Sequence, residues 1–292
     1  MTRSAVTASQ DAARLRLFSL QEIPPPRGMA LEAIRILGDD RVDLGEVVAL
    51  IEKSPEFASR ILRCANSAYY GCHRRVASVR EAVIRVLGLS MTKSLILATA
   101  LADSFDLSCQ GFSRERFWFG SVACAHLCQD LADSLQTPEK PAPAVAYTAG
   151  LLHNLGLLAL VHTFPDLMEQ ALSRSRDGDS SSAAIEAATG LSPAQAGEWL
   201  ARRWGFPEDL ARAMASHGVP DYRGPGWPLV RLVGLAAPIA DGLFTANPPK
   251  ASPATLPGDF LHTGDVGAAV ARLTQQVDEL LDLAHLLANN NQ

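Results

Sequence analysis

The sequence predicts an all-α protein, and three observations support that fold class. Apolar residues recur at helical spacing along almost the whole chain, and no stretch shows the strict alternation typical of a half-buried strand. Ser54 and Ser192 each stand before a proline, which is favoured at the first helical position because its missing N–H is not needed there. Hydrophobic residues make up 48% of the 292 residues, enough for a substantial core.

Short capping motifs place the beginnings of several helices. Ser78 with Glu81, and Ser192 with Gln195, have the spacing at which the cap and the third helical residue satisfy each other's backbone donors. Glycines that can end helices follow several of the apolar segments. The predicted helices span residues 11–20, 27–38, 43–53, 55–67, 79–87, 90–104, 114–135, 142–162, 165–176, 182–189, 193–204, 207–217, 228–243 and 265–288.

The predicted helices fall into two packed lobes, separated near "DLSCQGFS" at residues 106–113. The first is a bundle of short helices and the second a bundle of longer ones. Four prolines exclude regular structure from 245–264, which we predict to be a mobile loop. The predicted organisation is a flexible tail at 1–10, a first lobe at 11–110, a second lobe at 111–220 and a C-terminal helical extension at 221–292.

The composition argues against several classes of partner. A formal net charge of −5 and a pI near 5.8 provide no general attraction to nucleic acid or to anionic lipid, so neither is expected as a partner. The five cysteines lack a paired C-x-x-C framework, which indicates reduced thiols in a cytoplasmic protein and argues against zinc. No signal peptide, membrane span, P-loop or G-x-S-x-G motif is recognisable.

The first predicted lobe carries a distinctive series of motifs over residues 22–98. A proline-bearing start, "EIPPPRGM", is followed by the acidic turn "DDRVDL", then "SPEFASRILRCANSAYYG" and "SVREAVIRVLG". The second lobe adds "FWFGSVACAHLCQDLADSL" at 117–135 and "AYTAGLLHNLGLLAL" at 146–160. Together these resemble the HDOD family of bacterial signalling domains over residues 17–220, and the resemblance implies an HD-like helical bundle in the second lobe.

The resemblance also implies descent from the HD phosphohydrolases, in which histidines and aspartates hold one or two divalent metals. Gly120 stands where a ligating histidine is expected and supplies no ligand, and Asn154 stands where an aspartate is expected. Because an amide is a weaker ligand than a carboxylate, the expected set of metal ligands is incomplete. Leu157 stands where the HD-GYP branch has a lysine. The positions of this chain that match the HD ligand pattern are Gly120, His153, Asn154, His217 and Asp241.

His153 and Asn154 form a polar pair inside an apolar helical segment, and two interpretations are open. They are either a weak metal or ligand site, or a hydrogen-bonded pair in a helical core. We favour the second, because one imidazole without an assured carboxylate binds a divalent metal too weakly for catalysis. The sequence therefore predicts no catalytic residue, no metal and no cofactor.

A second candidate site is the segment "CANSAYYGCHRRVASVR". Aromatic and arginine side chains often anchor protein interfaces, so we predict a partner-binding surface here. The alternative is that the tyrosines are buried anchors between helices and the arginines a solvated face. The candidate partner-binding residues are Asn66, Tyr69, Tyr70, Arg74 and Arg75.

The function predicted from these observations is a non-catalytic bacterial regulatory module that binds a signalling protein. Two alternatives remain open. His153, His217 and Asp241 would hold one metal and activate water in a weak phosphohydrolase. Alternatively, a cavity that remains where the HD enzymes hold their metals would bind a nucleotide without hydrolysing it.

Overall fold

A computed structural model describes residues 20, 23, 25–26, 28–39, 41–71, 74–174, 182–245 and 260–289. The described residues are largely helical and contain no β-strand, so the all-α prediction is confirmed. The predicted helix at 11–20 lies, apart from Leu20, outside the described residues. The predicted flexible tail and most of the predicted loop at 245–264 also lie outside them.

Helices α1 to α5 build the first lobe. Asp43 and Ser54 cap α2 and α3 by accepting the backbone N–H groups of Glu46 and Phe57. α4 continues into one π-helical turn, Val83–Leu87, and at Gly88 (φ 73°) the chain bends into α5. The helices are α1 Met29–Leu37, α2 Leu44–Glu52, α3 Pro55–Ala65, α4 Val79–Ala82 and α5 Leu89–Ala102, with a 3₁₀ turn at Ala68–Tyr70.

Helices α6 to α12 build the second lobe, around the 19-residue α6. Buried residues lie on almost every face of α6 from Trp118 to Ala132, because α7, α13 and α15 all pack against it. The helices are α6 Arg114–Ala132, α7 Pro143–Leu152, α8 Leu155–Thr163, α9 Pro165–Arg174, α10 Ser182–Thr189, α11 Pro193–Arg203 and α12 Glu208–Ser216.

The C-terminal extension is an integral part of the packed structure. It comprises α13 Trp227–Phe244, α14 Thr263–Gln275 and α15 Val277–Ala288. The apolar face of α15, which includes Leu280, Leu283 and Leu287, is buried against α6, α3 and the 3₁₀ turn. α15 therefore joins the second lobe to the first.

Two predicted long helices are each divided in the structure. The segment predicted as one helix at 142–162 breaks at Asn154, whose backbone (φ −106°, ψ 17°) leaves helical geometry. The break lets α8 lie directly on α11, where a Cβ on Gly156 would come within 1.9 Å of the Pro193 carbonyl oxygen. The predicted helix at 265–288 breaks at Gln276, and the halves on either side each turn a buried face to α6.

The predicted capping boxes differ in outcome. At Ser192 and Gln195 both reciprocal hydrogen bonds are present, so this prediction is confirmed. At Ser78 only half of the box forms, because the Glu81 carboxylate accepts the N–H of Ala77 instead of that of Ser78.

Two helical stretches, Pro143–Thr163 and Trp227–Phe244, have the length and hydropathy of membrane spans, and the bent pair α4–α5 would count as a third. Within this fold, 83% of the most apolar window of the first stretch and 56% of that of the second are buried. More than half of each apolar window is therefore buried in the helical core.

Candidate functional site

Two of the HD-like positions, His153 and His217, meet beside the break between α7 and α8. α7 packs so closely on α6 that a Cβ on Gly150 would come within 2.7 Å of the Ala125 Cα and 2.8 Å of the Cys124 carbonyl oxygen. One turn later, His153 Nδ1 hydrogen-bonds the Gly150 carbonyl oxygen at 2.7 Å. This close approach places the buried His153 ring beside the Cys124 side chain.

His153 and Cys124 influence each other's charge. Burial disfavours the imidazolium, but the Cys124 charge and its hydrogen bond, the Gly150 carbonyl and the Asp241 charge together raise the pKa of His153. Burial likewise opposes ionisation of Cys124, yet hydrogen bonding from Cys128 and the neighbouring His153 lower its thiol pKa. Each group, when charged, therefore favours the charged form of the other.

His217 lies at the end of α12 and contacts His153. The two rings are perpendicular, with centroids 5.3 Å apart, and His217 Nδ1 hydrogen-bonds the Ala213 carbonyl oxygen at 2.9 Å. α13 approaches so closely that a Cβ on Gly234 would lie 2.3 Å from the His217 carbonyl oxygen. Burial and the charge of His153 lower the pKa of His217 to about 4, so His217 is neutral at pH 7.

Asp241, on α13, is bound by an arginine that the sequence interpretation did not identify. Arg116 donates from Nε and Nη2 to Asp241 Oδ1 at 3.1 and 2.9 Å, and from Nη2 to Oδ2 at 2.9 Å. Arg116 stands four residues before Gly120 on α6, hence on the same helical face. The four-residue spacing from Gly120 was the sequence signal that could have pointed to Arg116. Nothing in the sequence indicated that its partner is Asp241, 125 residues away.

The remaining HD-like positions supply no additional strong metal ligand. A Cβ on Gly120 would have no neighbour within 4 Å, so this position offers space and no donor. The Asn154 carbonyl oxygen accepts the N–H of Leu157, whose side chain is buried. No group of three or more His, Cys, Asp or Glu residues suited to a metal ion occurs in the described part of the chain. The donor set therefore does not fit the divalent metal of the HD enzymes.

The second candidate site surrounds the 3₁₀ turn. The Asn66 amide donates to the Leu62 and Val76 carbonyl oxygens at 2.9 and 3.0 Å, and its oxygen accepts the Val76 N–H at 2.9 Å. These bonds hold α3 to the segment that follows the turn. Arg74 and Arg75 are exposed on that segment.

Tyr69 and Tyr70 are half-buried at the seam between the lobes. Their ring centroids lie 4.8 and 6.3 Å from that of His126, on α6. His126 also packs edge-on against Tyr147 of α7, at 5.2 Å. Burial alone lowers the pKa of His126 to about 4. The tyrosines thus combine a packing role with partial exposure beside the two arginines.

A small apolar cleft lies where the two lobes meet. Residues of α5, α6 and the α7–α8 pair line it, and it contains none of the HD-like positions. Its lining residues are Ala98, Phe117, Trp118, Leu151, Leu152, Leu155 and Leu158.

The chain is similar to known proteins in sequence and in fold. A family model of the HDOD domain matches residues 23–220. An uncharacterised protein of Treponema pallidum (strain Nichols) is 25% identical over 219 residues, which are 74% of this chain and 42% of that protein. The chain therefore spans less than half the length of that curated relative.

Solved structures share the architecture. A protein from Marinobacter aquaeolei VT8, provisionally described as a signal transduction protein, superposes with a TM-score of 0.81 at 24% identity, over 97% of this chain and 66% of the other. An HDOD domain protein of unknown function from Geobacter sulfurreducens gives 0.73 at 22%, over 97% and 99%. A protein from Shewanella amazonensis SB2B, provisionally described as a phosphohydrolase, gives 0.71 at 23%, over 93% and 97%.

Proposed function

The chain belongs to the HDOD family, and we propose that it is a non-catalytic regulatory module that acts by binding a signalling protein. The observation that carries this proposal is the donor set at the HD-like positions. Asp241 is occupied by Arg116, Gly120 supplies no ligand and Asn154 replaces a carboxylate. A chain that keeps the HD-like framework with an incomplete set of metal ligands is better suited to recognition than to hydrolysis.

The proposed partner surface is the exposed side of the 3₁₀ turn and the segment after it. Arg74 and Arg75 are exposed there, and Tyr69 and Tyr70 are partly exposed. Arginine and tyrosine are enriched in the residues that contribute most to protein interfaces. The cationic pair favours a partner with an acidic surface, which would associate faster through electrostatic attraction. Because Asn66 is engaged in backbone hydrogen bonds, we assign it the role of holding the surface in shape.

Reversal of charge at the two arginines tests this surface. The double substitution Arg74→Glu with Arg75→Glu is expected to weaken capture of the partner from the native cell at least about tenfold, because it repels an acidic surface. Both side chains are exposed, so the melting temperature should stay within about 2 °C of the parent value.

Arg202→Glu with Arg203→Glu is the matched control, since these are also adjacent exposed arginines but lie on α11 of the second lobe. The control should retain capture. Equal capture by the parent and the Arg74/Arg75 variant would contradict the proposed surface.

Absence of hydrolysis is tested separately. The purified protein is expected to contain no stoichiometric divalent metal by elemental analysis, and to leave phosphodiesters intact with added Mn²⁺ or Mg²⁺. Asn154→Asp alone should not create activity, since Gly120 still supplies no ligand and Asp241 is still bound by Arg116. One metal ion per chain, or metal-dependent turnover, would support the phosphohydrolase alternative instead.

A further inference from the structure

We infer that the Arg116 guanidinium is a built-in cation of the HD-like site: it binds the Asp241 carboxylate through a two-pronged contact, closes that carboxylate to a divalent metal and ties α6 to α13. This inference concerns how the site is held together. It does not depend on the existence of a protein partner.

The contact has the geometry of a strong arginine–carboxylate pair. Both carboxylate oxygens accept from the guanidinium, through three hydrogen bonds of 2.9–3.1 Å. A planar guanidinium matches a carboxylate in this way, whereas a lysine ammonium offers only a point charge. A metal ion that used Asp241 as a ligand would have to compete with these hydrogen bonds.

The arginine is positioned by its surroundings as well as by its charge. Its side chain is only 19% exposed, and its Cζ lies 5.8 Å from the ring centroid of Phe244, one turn beyond Asp241 on α13. The Phe244 ring packs in turn against Phe119 of α6, at 5.4 Å. The guanidinium is therefore flanked by an aromatic face that favours a cation.

Crowding by neighbouring atoms does not explain why this chain lacks a metal ligand at position 120. A Cβ on Gly120, one turn after Arg116, would meet no atom within 4 Å. The chain has thus left space at one ligand position while supplying a positive charge to the carboxylate at another. A fixed side-chain cation in place of a bound metal makes this contact independent of metal supply.

A double-mutant cycle tests the pair. Asp241→Asn should lower the melting temperature by roughly 2–6 °C, because it leaves the Arg116 guanidinium, only 19% exposed, without its carboxylate. Arg116→Met should lower it by less, because the Asp241 side chain is 45% exposed and water can solvate it. The combined variant should be at least as stable as the less stable of the two single variants, because both substitutions remove the same contact. Additive losses in the combined variant would overturn the inference.

The pair Arg272–Asp130 provides a matched control. It also joins α6 to another helix of the extension, at 3.1 Å. The two aspartates are similarly exposed, Asp130 at 42% and Asp241 at 45%, but Arg272 is 59% exposed whereas Arg116 is 19% exposed. Arg272→Met with Asp130→Asn is expected to shift the melting temperature by less than about 2 °C and to show little coupling. Coupling as large as that of Arg116 with Asp241 would overturn a special role for the latter pair.

Two further measurements keep the inference falsifiable if Arg116→Met fails to fold. Arg116→Lys keeps the charge but loses the fork, so its melting temperature should fall below that of the parent. A lysine variant as stable as the parent would overturn the two-pronged contact. For the parent protein, neither EDTA nor millimolar Mn²⁺ or Ni²⁺ should change the melting temperature, and a metal-dependent rise would overturn closure to metals. Either failure is distinct from a failure of partner capture.

Discussion

His126 and His153 are both 9% exposed, yet the structure gives them opposite ionisation behaviour. His126 is surrounded by tyrosine rings at the lobe seam, and burial lowers its pKa to about 4. His153 experiences the same burial, but Cys124, Gly150 and Asp241 raise its pKa. The comparison shows that the neighbours of a buried histidine, and not its burial alone, decide whether it carries a charge.

The largest expected effect is acid sensitivity, to which His126 contributes together with His217, whose pKa is also lowered to about 4. Folded His126 remains neutral down to about pH 4, whereas the unfolded chain takes up the proton near the reference pKa of 6.5. Its contribution to stability is therefore present above pH 6.5 and is lost as the pH falls from 6.5 to 4, by about 3 kcal/mol in all. Urea unfolding at several pH values should show a smaller loss over this range for His126→Phe.

His285, exposed on α15, offers the control for this prediction. His285→Gln should retain the acid sensitivity of the parent. If the stability of His126→Phe fell as steeply as that of the parent when the pH is lowered from 6.5 to 4, His126 would have to be charged or solvated in the folded parent protein.

The close approach of α7 to α6 is the next target, because it places His153 beside Cys124. Gly150→Ala would put a Cβ 2.7 Å from the Ala125 Cα, so the helices must separate. We expect a loss of about 1–3 kcal/mol in the free energy of unfolding, as for other overpacked cores, measured by urea unfolding. A variant as stable as the parent would show that α7 and α6 are not in tight contact.

The Cys124 side chain should account for part of the difference between the two histidines. Cys124→Ser removes the ionisable thiol beside His153, so the pKa of His153 should fall. NMR titration of the histidine ring protons measures this directly, and the His126 resonance provides an internal control. An unchanged His153 titration would assign the raised pKa to the other neighbours.

The smallest expected effect is a gain in stability. Gly120→Ala places its methyl group in open space on α6 and replaces the poorest non-proline helix former with the best. The free energy of unfolding should rise by about 0.5–1 kcal/mol. A loss of stability instead would mean that the space beside Gly120 is needed.

Local sequence patterns predicted much of the fold. The caps at Ser54 and Ser192 begin helices as expected, because a side-chain oxygen next to a proline encodes a helix start without reference to distant residues. The break at Asn154 was not predicted. Apolar residues continue on both sides of it, and the close packing of Gly156 on α11 is a tertiary contact that periodicity cannot reveal.

The candidate site was predictable only in part. His153 and His217 were both selected from the sequence, and the structure brings their rings into contact. Arg116 and Cys124 were missed as members of the site. Each depends on partners far away in sequence, Asp241 on α13 for the arginine and His153 for the cysteine.

The central claim, that the chain acts through its exposed first-lobe surface and not through the HD-like site, is tested most directly by one affinity measurement. The dissociation constant of the captured partner should be measured for the parent, for Arg74→Glu with Arg75→Glu, and for folded His153→Ala. The account predicts at least about tenfold weaker binding for the arginine variant and unchanged binding for His153→Ala. Unchanged binding for the arginine variant, together with loss of binding in well-folded His153→Ala, would contradict it and place the function at the HD-like site.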